Sequence, residues 1–158
     1  MDINIIEAEN KHLNECIIAL KKSELGRTYF SDENKLLNAI SEGIGKSEIS
    51  VAVNRENTVL GFIWIIENGA FHSFPYLHII AVKEEFRGLG IGKEFLKYIE
   101  EAYNSSKLFL VVADFNPGAK RFYIKNGFKE VGCITDLYKN GVAECLMMKE
   151  LQEKNLRK

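Results

Sequence analysis

The sequence contains few of the residues that mark specialised protein classes. Its 158 residues include two prolines and three cysteines. Two prolines are too few for a proline-rich linker or a collagen-like chain. Cys16, Cys133 and Cys145 are odd in number and lack the spacing of a metal or redox motif. The simplest interpretation of these cysteines is reduced thiols in a cytoplasm.

The chain also lacks the charge excess of nucleic-acid-binding proteins and the long apolar run of membrane proteins. Lys and Arg total 21 against 22 Asp and Glu, so the net charge is −1, whereas a duplex-binding domain carries a clear basic excess. The longest apolar run, residues 59–66, is much shorter than the roughly 18 residues of a membrane helix. The N-terminal sequence MDINIIEAEN lacks the basic and apolar segments of a secretory signal. We therefore expect a cytoplasmic protein without a nucleic-acid or membrane partner.

The remaining composition is that of an ordinary globular protein. Hydrophobic residues make up 46% and charged residues 27% of the chain, which are usual values for a folded domain. No repeat or linker interrupts the sequence, and its length suits one domain. We predict one domain over residues 1–150, followed by a polar tail over residues 151–158 that frays.

Hydrophobic spacing predicts a mixed sheet covered by helices, with the elements in the order β-α-α-β-β-β-α-β-α-β-β. Residues 23–30 are predicted to form a loop between the first two helices. Ser31 is the predicted N-cap of the second helix, and Gly43 is its predicted end. The pair Asn68-Gly69 predicts a turn between two strands.

The last third of the chain has the clearest boundaries. A helix is predicted with Asn116 as its cap, Pro117 at its first position and Gly127 after its end. Two further strands flank Asn140-Gly141, which is a strong signal for a hairpin turn.

The segment that carries chemistry starts with an apolar strand over residues 76–82. The sequence Arg87-Gly88-Leu89-Gly90-Ile91-Gly92 follows it and opens a helix. Alternating glycines allow the backbone to approach a ligand closely. The free N–H groups and the dipole of the first helical turn favour an anion such as a pyrophosphate, and Arg87 adds a cation. The alternative interpretation is that the glycines only make a tight turn.

Two common phosphate-binding motifs do not match this segment. The dinucleotide fingerprint needs G-x-G-x-x-G, whereas Gly88, Gly90 and Gly92 alternate strictly. The nucleoside triphosphate loop ends in Gly-Lys-Ser/Thr, which residues 45–47 match, but Ile40 stands where that loop needs its first glycine. Both motifs are therefore rejected.

Two segments resemble a known family. Residues 87–92 fit the signature [Q/R]-x-x-G-x-[G/A], and residues 116–128 fit N-x-x-A-x-x-x-Y-x-x-x-G-F. In this order and separation, the chain resembles the GNAT superfamily of acyl-CoA-dependent N-acetyltransferases over almost its whole length. The resemblance implies an α/β fold (mixed α+β). Its sheet would be mixed and mostly antiparallel, with about seven strands, a splayed central parallel pair and about four flanking helices.

The resemblance also implies acetyl-CoA as cosubstrate, with no metal. The pantetheine arm would bind between the splayed strands as if it were a strand. The residues that would contact it are Ile80, Ala81 and Val82. Backbone amides would hold the pyrophosphate at Arg87, Gly88, Leu89, Gly90, Ile91, Gly92 and Lys93. The other wall, near the thioester, would be formed by Asn116, Ala119 and Tyr123.

Acetyl transfer to an amine needs a neutral nucleophile, donors for the oxyanion and a proton for the departing thiolate. The resemblance makes Tyr123 the general acid, although a tyrosine on an inward helical stripe is often a core residue. Members of the family often use a carboxylate on the splayed strands as base, but this strand offers Tyr76 and His78 instead. His78 is the candidate base because an ordinary imidazole has a pKa of about 6.5. Asp114 and a water chain remain alternatives.

These expectations describe an enzyme that transfers an acetyl group from acetyl-CoA to a primary amine of a small molecule or peptide, by direct attack on the thioester. Two other hypotheses remain open. One is a non-catalytic acyl-CoA-binding regulatory module, and the other is a nucleotide-dependent transferase that uses the same anion site. A homodimer through the exposed edge of the last hairpin also remains open.

Overall fold

The computed structural model describes residues 1–152 and contains seven strands and five α-helices in that range. Short 3₁₀ turns occupy Asn10–His12 and Glu84–Phe86. The fraying predicted for the tail concerns mainly residues 153–158, which lie outside the described residues. In chain order, the elements are β1 (Asn4–Glu7), α1 (Leu13–Lys21), α2 (Glu24–Tyr29), α3 (Glu33–Gly45), β2 (Ile49–Val53), β3 (Val59–Ala70), β4 (Phe74–Val82), α4 (Ile91–Ala102), β5 (Lys107–Ala113), α5 (Pro117–Lys125), β6 (Lys129–Thr135) and β7 (Ala143–Glu150).

The strands form one sheet in the order β1-β2-β3-β4-β5-β7-β6. β4 and β5 are parallel, whereas the other neighbours matched residue by residue are antiparallel. This topology confirms the predicted mixed, mostly antiparallel fold with one parallel pair, and it adds a fifth helix. No helix among residues 1–152 combines the length and apolar character needed to cross a membrane.

The chain folds as two compact units. The first comprises residues 1–65 and 79–99, and the second comprises residues 66–78 and those from 100 onward. Strands β3 and β4 each contribute residues to both units because their chains pass from one to the other. The single domain over residues 1–150 stays a prediction.

The first unit has an apolar core built from helices and strands. Cys16 and Leu20 on α1 are fully buried, as are Leu36 and Ile40 on α3, which contacts α1. Phe62 on β3 is also fully buried. The helical spacing of these residues in the sequence therefore marks the faces that pack inward.

Residues 23–30 were predicted to form a loop, and this prediction is wrong: they form helix α2. The Ser23 hydroxyl accepts a hydrogen bond from the Gly26 N–H at 2.9 Å, which caps the helix. Gly26 is buried against the end of α1, where a Cβ would collide with the carbonyl of Leu20. Helix α2 has only six residues. It is therefore too short to show the repeating apolar pattern by which sequence analysis detects a helix.

Both predicted boundaries of α3 are also wrong. Its N-cap is Asp32, whose carboxylate accepts the N–H groups of the next helical residues, and not Ser31. The helix continues past Gly43 to Gly45. A Cβ at Gly43 would lie 2.8 Å from the ring of Trp64, so this glycine allows close side-chain packing and does not end the helix.

The predicted turn at Asn68-Gly69 is wrong because both residues belong to β3. The chain reverses after Ala70, where Phe71 and His72 adopt left-handed φ values of 55° and 58°. A Cβ at Gly69 would lie 2.9 Å from the Cβ of Tyr76. Glycine is therefore needed at this position by the crowding of neighbouring side chains.

The second unit contains α5 and strands β5, β6 and β7. Asn116 caps α5, Pro117 occupies its first turn and Gly127 follows it with a φ of 95°, as the sequence predicts. β6 lies at the edge of the sheet, and each of its residues is exposed. The homodimer through this edge stays a prediction.

Cys133 and Cys145 form a disulfide, so the interpretation of these cysteines as reduced thiols is wrong. The two residues lie directly opposite each other on β6 and β7, with Cα atoms 4.0 Å apart. The register of the hairpin creates this proximity, which spacing in the sequence does not reveal. Cys16 remains a free thiol, and burial raises its pKa to about 12.

The packing of β3 against β4 predicts a strong effect for Gly61→Ala. A Cβ at this position would lie 2.5 Å from the carbonyl oxygen of Ala81, a backbone atom that has little freedom to move. We expect a loss of about 1–3 kcal/mol in the free energy of unfolding, measured by urea denaturation. Gly45→Ala is the control, since no atom lies within 4 Å of its added Cβ. Equal stability of the two variants would contradict this packing.

The disulfide predicts the number of free thiols. The unfolded, unreduced protein should show one reactive thiol, from Cys16, in a colorimetric thiol titration. The Cys133→Ser variant is the control and should show two thiols, because Cys145 loses its partner. Three thiols in the unreduced wild-type protein would show that the pair is reduced.

Candidate active site

The glycine segment after β4 lies in the first unit and forms an open turn. Gly88 and Gly90 have φ values of 80° and 84°, and no atom lies within 4 Å of a Cβ built at either residue. These glycines are therefore required by backbone conformation and not by crowding. The first backbone hydrogen bond of α4 runs from the Glu94 N–H to the Gly90 carbonyl at 3.1 Å. Since the N–H groups before Glu94 lack such partners within the helix, they are suited to binding an anion.

The Arg87 side chain fixes the start of this turn. Its Nε donates to the Val82 carbonyl at 3.2 Å, and one terminal nitrogen donates to the Lys22 carbonyl at 3.2 Å. The guanidinium is thus held against the carbonyls of Val82, at the end of β4, and Lys22. The role of Arg87 as a cation beside a bound pyrophosphate stays a prediction.

A partly buried ion pair holds the residue that precedes the turn. The Lys83 ammonium contacts the carboxylate of Glu15 on α1, and only 9% of the Lys83 side chain is exposed. The Lys83 N–H also donates to the Leu60 carbonyl at 2.9 Å. Both contacts fix the path of the chain from β4 into the glycine turn.

The end of β4 contains the three residues expected to contact the pantetheine arm. Ala81 is buried, and Ile80 and Val82 are half-buried. Because side chains alternate along a strand, Ile80 and Val82 share the less buried face. Their backbone groups, together with the glycine turn, lie in the first unit.

β4 and β5 are matched at a single position in the described residues, where Tyr76 lies opposite Phe109. β5 and β7, in contrast, are matched at every residue of β5 from Lys107 to Ala113. Because one residue pair joins these two strands, few backbone groups on this edge of β5 have a partner in β4. Such an edge can accept an extended ligand as an added strand.

Tyr123 lies in the second unit and is 7% exposed. Its ring packs edge-on against Phe122 and Phe128, with centroid distances of 5.3 and 5.4 Å. Burial raises the pKa of the Tyr123 hydroxyl well above that of a free phenol. The hydroxyl therefore keeps its proton at neutral pH.

Asn116 and Ala119 serve the helix that carries Tyr123. The Asn116 side-chain oxygen accepts the Ala119 N–H at 3.3 Å, which satisfies one free donor of the first turn. The structure therefore gives Asn116 a capping role. Whether Asn116 and Ala119 also line a wall near a thioester stays a prediction.

The two candidate bases differ in their surroundings. The exposed His78 lies on the same face of β4 as Tyr76, with ring centroids 6.1 Å apart. The Asp114 carboxylate accepts the Ala143 N–H at 3.2 Å, and the Asp114 N–H donates to the Ala143 carbonyl at 2.9 Å. Asp114 thus joins the ends of β5 and β7, and it is exposed like His78.

Sequence analysis missed a buried carboxylate in the second unit. Glu144 on β7 is only 2% exposed, and its charge contributes to the environment of Tyr76. Tyr76 is hydrogen-bonded to Tyr138. Burial raises the pKa of Tyr76, with further contributions from Tyr138 and Glu144. A signal was present, since Glu144 stands beside the apolar run of residues 145–148 in a predicted strand.

Glu130, Cys133 and Cys145 are the described residues whose side chains come close enough to suggest a metal site, with ligand atoms within 4.8 Å of one another. The two sulfurs are joined in the disulfide, so they carry no thiolate for a metal. The Glu130 carboxylate pairs with the Lys120 ammonium. This arrangement does not fit a metal site.

A sequence model of the acetyltransferase (GNAT) family matches residues 16–128 of the chain. A curated relative, an uncharacterized N-acetyltransferase of Methanocaldococcus jannaschii, is 39% identical over 79 residues. The alignment covers 46% of this chain and 51% of that relative, so the chain spans about half the length of the curated relative it matches.

Solved structures share the fold. An acetyltransferase of the GNAT family from Bacillus cereus has a TM-score of 0.78 and 18% identity, and the comparison covers 97% of this chain and 100% of that one. An acetyltransferase of the same family from Staphylococcus aureus has a TM-score of 0.70 and 24% identity, with coverages of 96% and 100%. At these identities the likeness concerns the fold alone.

Proposed function

Because the chain belongs to the acetyltransferase (GNAT) family, we propose that it transfers an acetyl group from acetyl-CoA to a primary amine of a small molecule or peptide. Membership of the family supports acetyl transfer in general. The cosubstrate, the amine acceptor and direct attack on the thioester are the specific parts of the proposal. The arguments for these specific parts use residues of the first unit and, separately, residues of the second unit.

The observation that carries the proposal is the pair of left-handed glycines at the start of α4. Gly88 and Gly90 leave open space where side chains would otherwise stand. The amides of residues 87–93 would hold the diphosphate of acetyl-CoA in this space, and the Arg87 guanidinium would favour its charge. The backbone of residues 80–82 would hydrogen-bond the pantetheine arm as an added strand.

Tyr123 would supply the proton that the sulfur needs as the C–S bond breaks. A thiol has a pKa of about 8.5 and a free phenol about 10, and burial raises the pKa of Tyr123 further. The hydroxyl is thus fully protonated at neutral pH. His78, an exposed imidazole on β4, would accept the proton that the acceptor loses.

The glycine turn predicts that Gly90→Ala weakens binding of coenzyme A. Alanine in the left-handed conformation costs about 1–2 kcal/mol, so the turn should distort. A rise in the Kd for coenzyme A of about tenfold is expected in isothermal titration calorimetry. Gly141→Ala is the matched control, because Gly141 also has a φ of 84° and open space around its Cβ position. An equal change of the Kd in Gly90→Ala and Gly141→Ala would show that the glycine turn is not part of the binding site.

The proposed acid predicts that Tyr123→Phe lowers kcat by about 10²-fold or more, because only the donating hydroxyl is lost. The Kd for coenzyme A should stay unchanged. Release of free thiol from acetyl-CoA with a panel of primary amines measures the rate. Tyr98→Phe is the control, since it removes a phenol hydroxyl that contacts Ser50 at 3.5 Å in the first unit.

The same assay separates the enzyme from a non-catalytic module. Coenzyme A binding without thiol release for any amine would support the acyl-CoA-binding regulatory module. Activity in Tyr123→Phe equal to the wild type would remove Tyr123 as the acid and leave acetyl transfer intact.

A further inference from the structure

A cavity of about 500 Å³ lies in the first unit, away from the residues expected to contact acetyl-CoA. Its walls come from β1, from the start of α1 and the turn before it, and from the adjoining ends of β2 and β3 with the connection between them. Lys83, which follows β4, completes the lining. Cavities of this size are typical of small-molecule sites, so its chemistry indicates which ligand it suits.

His12 offers an unused hydrogen-bond donor to this cavity. The residue is 7% exposed, and its Nδ1 accepts the Glu9 N–H at 3.0 Å. Burial lowers the pKa of His12, with a further contribution from the charge of Lys11. The ring is therefore neutral at neutral pH and carries its proton on Nε2, because Nδ1 is the acceptor.

The Nε2–H group of His12 is accessible from the cavity. Nε2 has no hydrogen-bond partner among residues 1–152. In the same range, every fully buried polar side-chain atom has a partner, so Nε2 is not sealed inside the protein. Since His12 lines the cavity, a ligand there can accept this N–H.

Lys83 offers further donors to the same cavity. Only 9% of its side chain is exposed, and its ammonium contacts the Glu15 carboxylate. An ammonium has several N–H donors, and within the described chain Glu15 is the partner of this one. A buried cation whose remaining donors lack partners is stabilised by a ligand that supplies acceptors.

The charges around the cavity favour an anion beside these two donors. The Glu15 side chain is 39% exposed, so solvent screens its charge, whereas the Lys83 ammonium is nearly shielded from solvent. The exposed Lys11 pairs with the exposed Glu9 at 3.3 Å, so these two charges largely cancel. A carboxylate matches the site because its two oxygens accept from an imidazole and an ammonium at once.

Apolar side chains line another part of the cavity. Val53 and Val59 are buried and lie opposite each other on β2 and β3, and the exposed Ile6 lies on β1. A hydrocarbon chain bound against them removes apolar surface from water. The ligand that suits both parts has a carboxylate at one end and an aliphatic chain at the other.

We propose that this cavity binds a small aliphatic carboxylate. Its oxygens accept from His12 Nε2 and from the Lys83 ammonium, and its chain packs on Ile6, Val53 and Val59. The proposal goes beyond acetyl transfer and does not depend on it.

An NMR titration of the wild-type protein, with neither coenzyme A nor an amine present, tests the site by three probes. Hexanoate should bind at least about tenfold more tightly than hexanamide, which has the same chain without the charge. It should also bind at least about tenfold more tightly than acetate, which has the charge without the chain. Equal affinity for hexanoate and either control, or no binding of hexanoate, would overturn the inference.

Two substitutions of His12 separate ligand binding from folding. The shorter side chain in His12→Asn replaces Nδ1 as the acceptor for Glu9 and removes the donor at the Nε2 position. The longer side chain in His12→Gln keeps a donor near that position and loses the contact with Glu9. His12→Asn should therefore raise the Kd for hexanoate by about tenfold, and His12→Gln by less than about threefold.

Thermal unfolding of the same variants should rank them in the opposite order. His12→Gln should be the less stable, because it leaves the Glu9 N–H without its acceptor. Loss of hexanoate binding that follows the loss of stability in both variants would indicate a merely structural His12 and would refute the site.

Glu15→Gln should strengthen binding of the anion. The amide oxygen still accepts from the Lys83 ammonium, but the negative charge that repels a bound carboxylate is gone. The Kd for hexanoate should fall by about threefold or more, and the Kd for hexanamide should stay constant. Glu24→Gln is the matched control, since Glu24 is an exposed carboxylate of the first unit that pairs with Arg27 at 2.8 Å. A Kd for hexanoate that stays constant or rises in Glu15→Gln would contradict the proposal.

Saturating coenzyme A distinguishes this cavity from the proposed cosubstrate site. The Kd for hexanoate should be unchanged, because the residues that line the cavity are separate from those expected to hold coenzyme A. Competition between the two ligands would assign the cavity to the cosubstrate and overturn the inference. Absence of thiol release with every amine would refute the proposed function and leave the binding of hexanoate measurable.

Discussion

The start of α4 must combine a reversal of the backbone with free N–H groups at a helix terminus, and the proposed binding of the cosubstrate depends on this constraint. A left-handed φ at Gly88 and Gly90 satisfies the reversal without a Cβ in the way. Contacts around the turn then fix it in place: the Arg87 guanidinium holds two backbone carbonyls, and the Lys83–Glu15 pair holds the preceding residue. An anion site made of backbone amides works only if the backbone is held in this way, because no side chain defines it.

Glycine serves two different purposes in this chain. At Gly88 and Gly90 the conformation requires it and the surroundings are empty, whereas at Gly43 and Gly69 neighbouring side chains fill the place of a Cβ. The first kind belongs to the turn proposed to bind coenzyme A, and the second allows neighbouring side chains to pack closely. A sequence pattern treats all glycines as breaks in structure, which is why it placed a helix end at Gly43 and a turn at Gly69. Only the neighbouring atoms distinguish the two purposes.

The chemistry proposed for the second unit uses a tyrosine that burial keeps protonated. Tyr123 is buried among aromatic rings and keeps its proton, which suits a donor to a departing sulfur. Glu144 is buried on β7, and its negative charge helps to raise the pKa of Tyr76.

Local interactions were readable from the sequence alone. The cap at Asn116, the proline after it, the glycine at Gly127 and the alternating glycines before α4 all act within a few residues, so their spacing identified the elements and the family. Contacts between distant residues were decided by the tertiary structure. Hairpin register paired Cys133 with Cys145, and strand alternation placed Glu144 on the face of Tyr76. The tertiary structure also packs Gly26 against the end of α1, within a short helix that the local sequence did not predict. These features escaped prediction because register, burial and crowding depend on which segments meet in space, and hydrophobic periodicity contains no information about that choice.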